Sequence, residues 1–390
     1  MKNETPLLSI LIPTKNRYDT LLPVISAILL YVDSMDFEII VQDNSDHNQF
    51  FINYINDNKD NRIKYFYNKS SISIVDNTIY AIENSKGKYL TFIGDDDLVS
   101  PYIYDIVKLI DKANIKCLSF NPAYYWWNTI DFVKEDYYNR KDALWLPKKH
   151  SSEIIEIDTK LGFEFMLKNG AVSYYKLPKF YHGIVKREVL ETIKVKCGTY
   201  LPGMSPDIAF ATSLALVLDK YHYMDYPVTV FGASKNSGGG MSAKNKHYGK
   251  IEDQSFLPRD IIERWNPNVP KIWSERSTYT QTVSDVLRAF NVKDEINYIA
   301  FYSAMLAYEF FLFRYIYPCI KAYCKRNIIS YITLLVYYFK RKAGMLIRSV
   351  KKQNRNFDYK VEIAHNVNDC MILLKEEKLN FINNNVGGDL

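Results

Sequence analysis

The sequence predicts an α/β fold, with a doubly wound, mostly parallel sheet followed by a C-terminal helical region. Over the first 120 residues, short apolar runs rich in β-branched residues alternate with segments of helical periodicity, which is the pattern of βαβ units. Beyond about residue 265 the pattern becomes helical and rich in aromatic residues. With 390 residues, 47% of them hydrophobic, the chain can bury one large core or two smaller ones.

The predicted elements of the first part alternate as strand and helix. Strands are predicted at LLSILIP, FEIIVQ, IKYFY, KYLTFI and residues 115–120. Helices are predicted at residues 18–31, 48–57 and 74–85, and a further helix begins at Pro101. The third helix is followed by Gly87, a typical C-terminal stop. Because a helix follows each strand, most strands are expected to run parallel.

The remaining elements are less regular. Residues 121–199 are rich in Tyr and Trp, and strands at 180–185 and 221–230 flank a helix at 207–218. The run Ser-Gly-Gly-Gly at 237–240 predicts a flexible loop. Further helices are predicted at 278–291, 294–326 and 328–350. We therefore predict one domain over residues 1–255 and an α-helical region over residues 256–390.

The composition excludes several classes of protein. Lys and Arg number 50 against 44 Asp and Glu, a mild and dispersed excess, and no nucleic-acid-binding motif accompanies it. The five cysteines are scattered without a C-x-x-C pair, which argues against a disulfide framework and favours a reducing cytoplasm. No secretory signal is visible, and no stretch of 18 apolar residues is free of charge, so no membrane span is expected.

Three predicted strand ends carry polar clusters: residues 14–17, Asp43 with Asn44, and Asp95 to Asp97. The carboxyl ends of parallel strands meet at one edge of a sheet, where such folds bind ligands. Adjacent carboxylates repel one another unless a cation or solvent relieves them, and hard divalent ions with phosphate-bearing substrates prefer carboxylate ligands. The acidic triplet therefore predicts a metal site. The alternative is a solvated turn that caps the helix at Pro101.

The sequence resembles the family 2 glycosyltransferases of the GT-A fold. The matching segments are LLSILIPTKNRYDTL, FEIIVQDNSD, VDNTIYAIENSKGKYLTFIGDDDLVSP and SPDIAFATSLAL. They cover residues 5–120 well and residues 180–235 more loosely, while the C-terminal third has no counterpart. The resemblance implies a Rossmann-like nucleotide-binding domain, with a nucleotide-sugar half at 5–120 and an acceptor half at 121–255.

The resemblance also implies roles for individual residues. Asp95 is implied to face the ribose and Asp97 to ligate Mn²⁺ or Mg²⁺ on the diphosphate, while Asp96 shares either task. Asp207 stands where the family carries its catalytic base. The implied nucleotide-sugar contacts are Pro13, Thr14, Asn16, Arg17, Asp43, Asp76, Asn77, Asp95 and Asp96.

The chain departs from the family pattern near two of these positions. An Arg-Asn pair of the family is replaced by Asp76-Asn77, which removes a cation near the nucleotide and makes Asp76 an alternative base or ribose contact. Pro206 stands where a Glu usually precedes the base. Asp207 therefore also fits a plain helix N-cap.

The activity implied by the resemblance is an inverting, metal-dependent transfer of a sugar from a nucleoside diphosphate, expected to be UDP. The implied acceptor is a hydroxyl of a bacterial surface glycan, such as a capsule, an O-antigen or a teichoic acid, or of its lipid-linked precursor. Two alternatives stay open. One is a sugar-1-phosphate nucleotidyltransferase, although the loop after the first strand lacks glycine; the other is a non-catalytic glycan-binding scaffold.

Further patterns leave alternatives open. The run Tyr124 to Trp127 fits either the core or an acceptor platform.

The glycine loop fits either a lid over the diphosphate or an exposed connector. Its flanking basic residues are Lys235, Lys244, Lys246 and His247. His247 is also a candidate metal ligand. Residues 337–352 interleave basic and apolar side chains, which fits a helix lying on anionic lipid at the inner membrane face or a solvated helix face. A homo-oligomer is one alternative for the assembly.

Overall fold

The computed structural model describes residues 5–136, 139–244, 248–325, 327–352 and 358–377. The strands, in chain order, are β1 (Leu8–Thr14), β2 (Phe37–Asp43), β3 (Ile63–Tyr67), β4 (Tyr89–Phe92), β5 (Leu98–Val99), β6 (Cys117–Phe120), β7 (Ala123–Trp126), β8 (Ala143–Pro147), β9 (Ile154–Asp158), β10 (Gly183–Lys186), β11 (Lys220–Met224), β12 (Thr229–Ala233), β13 (Tyr248–Gly249), β14 (Trp273–Ser274) and β15 (Tyr359–Ile363). The helices are α1 (Tyr18–Tyr31), α2 (Gln49–Asp57), α3 (Ile74–Asn84), α4 (Ile103–Lys112), α5 (Thr159–Lys168), α6 (Arg187–Cys197), α7 (Pro206–Val217), α8 (Gly238–Ala243), α9 (Glu275–Ala289), α10 (Tyr298–Tyr308), α11 (Phe313–Cys324), α12 (Ile328–Lys352) and α13 (Val367–Glu376).

The main sheet has the strand order β3-β2-β1-β4-β10-β6-β11-β9. Strands β3, β2, β1 and β4 are parallel neighbours, whereas β10 is antiparallel to β4 and β6, and β9 is antiparallel to β11. Every residue of β2 is buried, as expected for a strand covered on both faces. The predicted mostly parallel α/β sheet is confirmed. Thr14 pairs with Asp43 at the carboxyl ends of β1 and β2, so the predicted polar clusters share one edge.

A second sheet has the strand order β15-β8-β7-β12-β5. Residues 93–97 connect β4 of the main sheet to β5 of the second sheet, which places the acidic triplet in the connection between the two sheets. The single strand predicted at 221–230 is wrong, because the chain forms β11 in the main sheet and then β12 in the second. Pro227, which has no amide hydrogen for a ladder, lies in the turn between them.

The C-terminal region is helical as predicted, but its helix at 294–326 is divided into α10 and α11, which are bent by 110°. The break falls at Glu309, whose buried carboxylate accepts hydrogen bonds from Arg276 Nη1 at 2.8 Å and Ser274 Oγ at 3.0 Å. Within the described ranges no single helix is long and apolar enough to cross a membrane. Helices α10 and α11 pass that test only together, as a bent pair.

The last described residues return to the first domain. Strand β15 pairs antiparallel with β8, from Tyr359 opposite Pro147 to Ile363 opposite Ala143, and α13 packs on α1. Met371 of α13 is buried in the same core cluster as the residues of β1 and β2. The C-terminal region therefore supplies an edge strand to the second sheet besides its helices, and the domain division at residue 256 stays a prediction.

Candidate active-site cleft

A cleft of about 800 Å³ is lined by residues of both sheets and of α3, α7 and α9. Its charged lining residues are Lys15, Arg17, Asp95, Asp96, Lys179 and Asp207. Its aromatic lining includes Tyr124, Trp126, Tyr174, Tyr175, Tyr181, Phe231, Phe256 and Tyr279. A volume of this size with a few polar groups among aromatic side chains is typical of a small-molecule site.

Asp95 is fully buried and is held by Thr14, the last residue of β1, and by Arg17, which follows that strand. Its Oδ2 accepts hydrogen bonds from Thr14 Oγ1 at 2.6 Å and from Arg17 Nε at 3.0 Å, and its Oδ1 forms an ion pair with Arg17 Nη2. Burial raises the pKa of Asp95 to about 7; the positive charge of Arg17 opposes this shift and the charge of Asp96 adds to it. The two-point contact fixes the guanidinium of Arg17 as a cation of the cleft.

Asp96 is the carboxylate of the triplet that keeps an available oxygen. Its Oδ2 accepts hydrogen bonds from the amide of Ser234 at 3.0 Å and from Ser234 Oγ at 2.7 Å. Its Oδ1 faces Arg17 Nη1 at 3.6 Å and accepts no hydrogen bond from the residues that the structure describes. The backbone of Gly232, in β12, lies directly against the backbone of Asp96. A Cβ at Gly232 would lie 1.7 Å from the carbonyl oxygen of Asp96. Only glycine fits at that position.

Asp97 is buried, does not line the cleft, and uses both carboxylate oxygens within the protein. Its Oδ1 accepts a hydrogen bond from the amide of Gly232 at 2.7 Å. Its Oδ2 accepts from the amide of Gly94 at 2.6 Å and from the hydroxyl of Tyr181 at 2.9 Å, and lies 2.9 Å from His182 Nε2. Burial alone would raise the pKa of Asp97, but His182 and these hydrogen bonds lower it. This environment argues against the metal contact predicted for Asp97, which stays a prediction.

The described residues can hold a divalent ion only if a bound ligand supplies further oxygen atoms. In the described part of the chain, no three His, Cys, Asp or Glu side chains converge on one metal position. Asp97 has no free oxygen and Asp95 is paired with Arg17, so Asp96 Oδ1 is the carboxylate oxygen available at the cleft. In nucleotide sites Mg²⁺ is commonly bound by one or two carboxylates and by the phosphates of the substrate. The cleft therefore suits Mg²⁺ or Mn²⁺ that binds with a diphosphate.

Several predicted nucleotide contacts do meet in the cleft. Pro13, Thr14, Arg17 and Asn77 all line it. The Nδ2 of Asn77 donates to the carbonyl oxygens of Thr14 at 3.3 Å and Gln42 at 3.2 Å. Its buried Oδ1 has no partner within the described residues, which leaves an unused acceptor beside the cleft.

Three other predicted contacts lie elsewhere. Asp43 is fully buried, and its Oδ2 accepts hydrogen bonds from the hydroxyls of Tyr18 at 2.5 Å and Tyr65 at 2.8 Å. Asn16 is at the surface, with a left-handed backbone φ of 58°. Asp76 is exposed and lines a separate pocket of about 330 Å³. None of the three is among the residues that line the cleft, so their roles stay predictions.

Asp207 lines the cleft from the first turn of α7. Its Oδ1 accepts a hydrogen bond from Ser205 Oγ at 2.5 Å, and its Oδ2 accepts one from the hydroxyl of Tyr279 at 2.7 Å. The N-cap position of α7 is Ser205, so the alternative of Asp207 as a plain N-cap is wrong. Burial and the negative charge of Asp207 raise the pKa of Tyr279 well above its ordinary value, which keeps the phenol protonated as a donor. Tyr279 belongs to α9, and the C-terminal helices therefore contribute to the cleft.

The aromatic run at 124–127 divides between the cleft and the core. Side chains alternate across β7, so Tyr124 and Trp126 line the cleft while Tyr125 and Trp127 are buried in the core. The indole of Trp127 donates to the carbonyl oxygen of Asp96 at 2.8 Å, which supports the acidic connection from behind. The core alternative is confirmed for Tyr125 and Trp127, whereas an acceptor platform at Tyr124 and Trp126 stays a prediction.

The run Ser-Gly-Gly-Gly is not the predicted flexible loop but the start of α8. Ser237 caps this short helix by accepting a hydrogen bond from the amide of Gly240 at 3.2 Å. Gly238 and Gly239 line the cleft, whereas Lys244 pairs with Asp131 at 2.9 Å. The predicted contributions of Lys246 and His247 lie outside the described residues.

Sequence reasoning missed two polar groups of the cleft. Lys179 precedes β10 and lines the cleft, where burial lowers the pKa of its ammonium group. Tyr279 lies in a helix whose sequence matches no motif. The sequence did contain a signal for Lys179. The run KFYH at 179–182 places polar side chains directly before an apolar strand. His182 is buried in the core, with its Nδ1 2.7 Å from Thr229 Oγ1.

Comparisons with known proteins find a family model that matches the first part of the chain. Residues 9–166 match the model described as Glycosyl transferase family 2, and no curated protein matches significantly. The crystal structure of S. aureus TarS is similar with a TM-score of 0.40 and 16% identity, over 58% of this chain and 37% of that one. TarS 1–349 in complex with UDP-GlcNAc has a TM-score of 0.42 and 17% identity, over 60% of each chain. The complex with UDP has a TM-score of 0.40 and 14% identity, over 58% of this chain and 61% of TarS 1–349.

Proposed function

We propose that the protein is a glycosyltransferase whose reaction takes place in the cleft, since residues 9–166 match the model described as Glycosyl transferase family 2. The observation that carries this proposal is that Arg17, Asp96 and Asp207 line one and the same cleft. Arg17 provides a fixed positive charge for a diphosphate, and Asp207 provides a carboxylate for proton transfer. Transfer of a sugar from a nucleoside diphosphate requires both groups in one site.

The proposed donor is a nucleoside diphosphate sugar, with UDP as the expected nucleotide. Three cationic side chains, Lys15, Arg17 and Lys179, line the cleft and can neutralise the diphosphate. Asn77 lines the same part of the cleft and holds the ends of β1 and β2 through the carbonyl oxygens of Thr14 and Gln42. These contacts support a nucleotide bound along the loop after β1.

A Mg²⁺ or Mn²⁺ ion that binds with the diphosphate would be held by Asp96. When bound, such an ion stabilises the negative charge that develops on the departing diphosphate. We assign Asp97 a positioning role instead, because its hydrogen bonds to Gly94 and Gly232 tie the connection between the sheets to β12. That tie holds Asp96 at the cleft.

Asp207 is the proposed general base. It takes the proton from an acceptor hydroxyl, whose oxygen forms a bond to the anomeric carbon while the bond from that carbon to the β-phosphate oxygen breaks. The electron pair of the broken bond leaves with the nucleoside diphosphate, near the cationic lining of the cleft. A single displacement of this kind inverts the configuration of the anomeric carbon.

The proposed acceptor is a saccharide, in keeping with the bacterial surface glycan expected from the family resemblance. Tyr124 and Trp126 present aromatic rings to the cleft, and Tyr175 adds a ring that is 79% exposed. Such rings pack against the apolar faces of sugars and leave the hydroxyl groups free. Asp207 shares this cleft, so an acceptor bound there can bring a hydroxyl to the base.

Tyr279 is proposed to position the base, and its removal gives a testable result. We expect Tyr279→Phe to lower kcat by about tenfold, the scale of one hydrogen bond to a charged group, because Asp207 loses one of its two donors. The KM for the donor should stay unchanged. Initial rates of transfer measure both constants, with Tyr80→Phe on the exposed side of α3 as the matched control. An unchanged kcat in Tyr279→Phe would remove this positioning role.

The donor assignment is tested by titrating UDP-, GDP- and dTDP-sugars calorimetrically, with and without Mn²⁺, and by measuring release of nucleoside diphosphate. We expect one nucleotide class to bind and to be released in a Mn²⁺-dependent manner. Asp96→Asn should lose this dependence, because it removes the available carboxylate. Asp57→Asn, at the exposed end of α2 and outside the cleft, should retain it. Absence of both binding and release for every donor would contradict the proposed function.

A further inference from the structure

Helix α12 exposes an apolar face on the surface of the protein. The exposed large side chains of this face, which we call the apolar face of α12, are Ile328, Ile329, Ile332, Leu335, Val336, Phe339, Leu346 and Ile347. Most of them recur at spacings of three and four residues, so they lie on one side of the helix. The face is well exposed, with Ile328 at 68% and Phe339 at 64%. A soluble surface rarely carries so continuous an apolar stripe, which marks an interaction site.

The opposite side of α12 is attached to the body of the protein. Leu334 is buried in the core of the helical region, and Arg341 donates hydrogen bonds from Nε to Ser303 Oγ at 3.0 Å and from Nη2 to the carbonyl oxygen of Asn169 at 3.1 Å. The neighbouring helix α11 and the turn before it add exposed aromatic rings at Phe310, Phe311, Phe313 and Tyr317. The exposed rings and the apolar face therefore belong to helices that are fixed on the protein.

The charges of this segment have one sign. Between residues 310 and 352 the sequence has no Asp or Glu and ten Lys or Arg residues: Arg314, Lys321, Lys325, Arg326, Lys340, Arg341, Lys342, Arg348, Lys351 and Lys352. Lys321, Lys325 and Lys340 are exposed, and none of the three forms an ion pair with a residue that the structure describes. Apolar side chains flanked by cations without acidic partners are complementary to a surface that is apolar inside and negative outside.

We propose that the apolar face of α12, with the flanking cations of α11 and α12, docks on an anionic lipid bilayer. The apolar side chains would enter the interface between headgroups and acyl chains, while the lysines contact lipid phosphates. A second copy of this chain fits less well, because pairing two such segments would bring cations together without an acidic residue from either. This inference rests on the surface alone and does not depend on the proposed sugar transfer.

The test is cosedimentation of the full chain with vesicles of phosphatidylcholine and with vesicles that contain about one third phosphatidylglycerol. We expect binding to the anionic vesicles, weaker binding to the neutral ones, and weakening by salt, since about 1 M salt screens charges beyond about 3 Å. The triple variant Ile332→Glu, Leu335→Glu and Phe339→Glu should weaken binding by about tenfold or more. All three positions are exposed, so the fold should be kept, which a thermal melt verifies.

A matched control carries the same three charges elsewhere. Leu30→Glu, Leu161→Glu and Val195→Glu replace exposed apolar residues of α1, α5 and α6 and should bind anionic vesicles like the unaltered chain. Equal loss in both triple variants would show a non-specific charge effect and overturn the proposal. So would absence of vesicle binding by the unaltered chain. An oligomer that the α12 variant alone dissociates, without vesicle binding, would assign the face to a second copy instead.

Discussion

Replacing Asp207 by Asn is expected to lower kcat for sugar transfer by about a thousandfold, within the range typical of general-base catalysis. The amide keeps the shape of the side chain. Its oxygen can still accept a hydrogen bond from one of the two hydroxyls, Ser205 or Tyr279, and its NH2 group can donate to the oxygen of the other, but it cannot take the proton of the acceptor hydroxyl. The affinity for the nucleotide sugar should be unchanged, because Asp207 lies on α7, whereas the predicted nucleotide contacts that line the cleft lie at the end of β1, just after it, on α3 or between β4 and β5.

Transfer rates at saturating acceptor, together with calorimetric titration of UDP, separate these two effects. Asp219→Asn is a matched control, because Asp219 is exposed just beyond the other end of α7 and lies outside the cleft. Normal turnover in Asp207→Asn would transfer the role of base to another group. Loss of nucleotide binding in the same variant would instead indicate that Asp207 supports the cleft structurally.

The second large effect is expected on stability and distinguishes two adjacent carboxylates. Asp97→Ala should lower the free energy of unfolding by about 3–5 kcal/mol, because several buried donors lose their acceptor at once. It would leave His182 Nε2, the hydroxyl of Tyr181 and the amides of Gly94 and Gly232 without their acceptor. Asp96→Ala removes two hydrogen bonds from Ser234 and should destabilise the fold much less.

Urea unfolding and titration with Mn²⁺ in the presence of UDP measure the two properties on the same pair of variants. The expected pattern is reciprocal: Asp97→Ala is unstable, and Asp96→Ala is folded but has lost Mn²⁺-dependent binding of UDP. If Asp97→Ala unfolds at the concentration of urea that unfolds the unaltered protein, yet no longer binds Mn²⁺ with UDP, the metal role first predicted for Asp97 would be restored.

The sequence predicted the edge of the sheet at which the cleft lies because that information is local. An apolar strand followed directly by polar residues identifies its own carboxyl end, and α/β alternation makes these ends meet. The same holds for Asp207, which follows a proline at the start of an apolar helix. Successive side chains of β7 point to opposite faces of the sheet, which puts Tyr124 in the cleft and Tyr125 in the core. This alternation follows from the order of the residues in a strand.

The distinction among Asp95, Asp96 and Asp97 could not be made from the sequence. Three adjacent carboxylates look equivalent, and their environments are determined by partners far away in the chain, such as Arg17 for the first and His182 for the last. The role of Tyr279 was hidden for the same reason, since α9 packs on α7 only in the tertiary structure. The division of the helix at 294–326 likewise depends on a buried ion pair between Glu309 and Arg276.

The pairing of β15 with β8 has a consequence for how the chain acquires its structure during synthesis. The two strands are separated by about two hundred residues. At ordinary translation rates, β15 is therefore synthesised about 10 to 40 seconds after β8. During that interval one edge of the second sheet is open, and open edges are sites of erroneous pairing between nascent chains. Chaperones that shield β8 during this interval are therefore expected to raise the yield of folded protein.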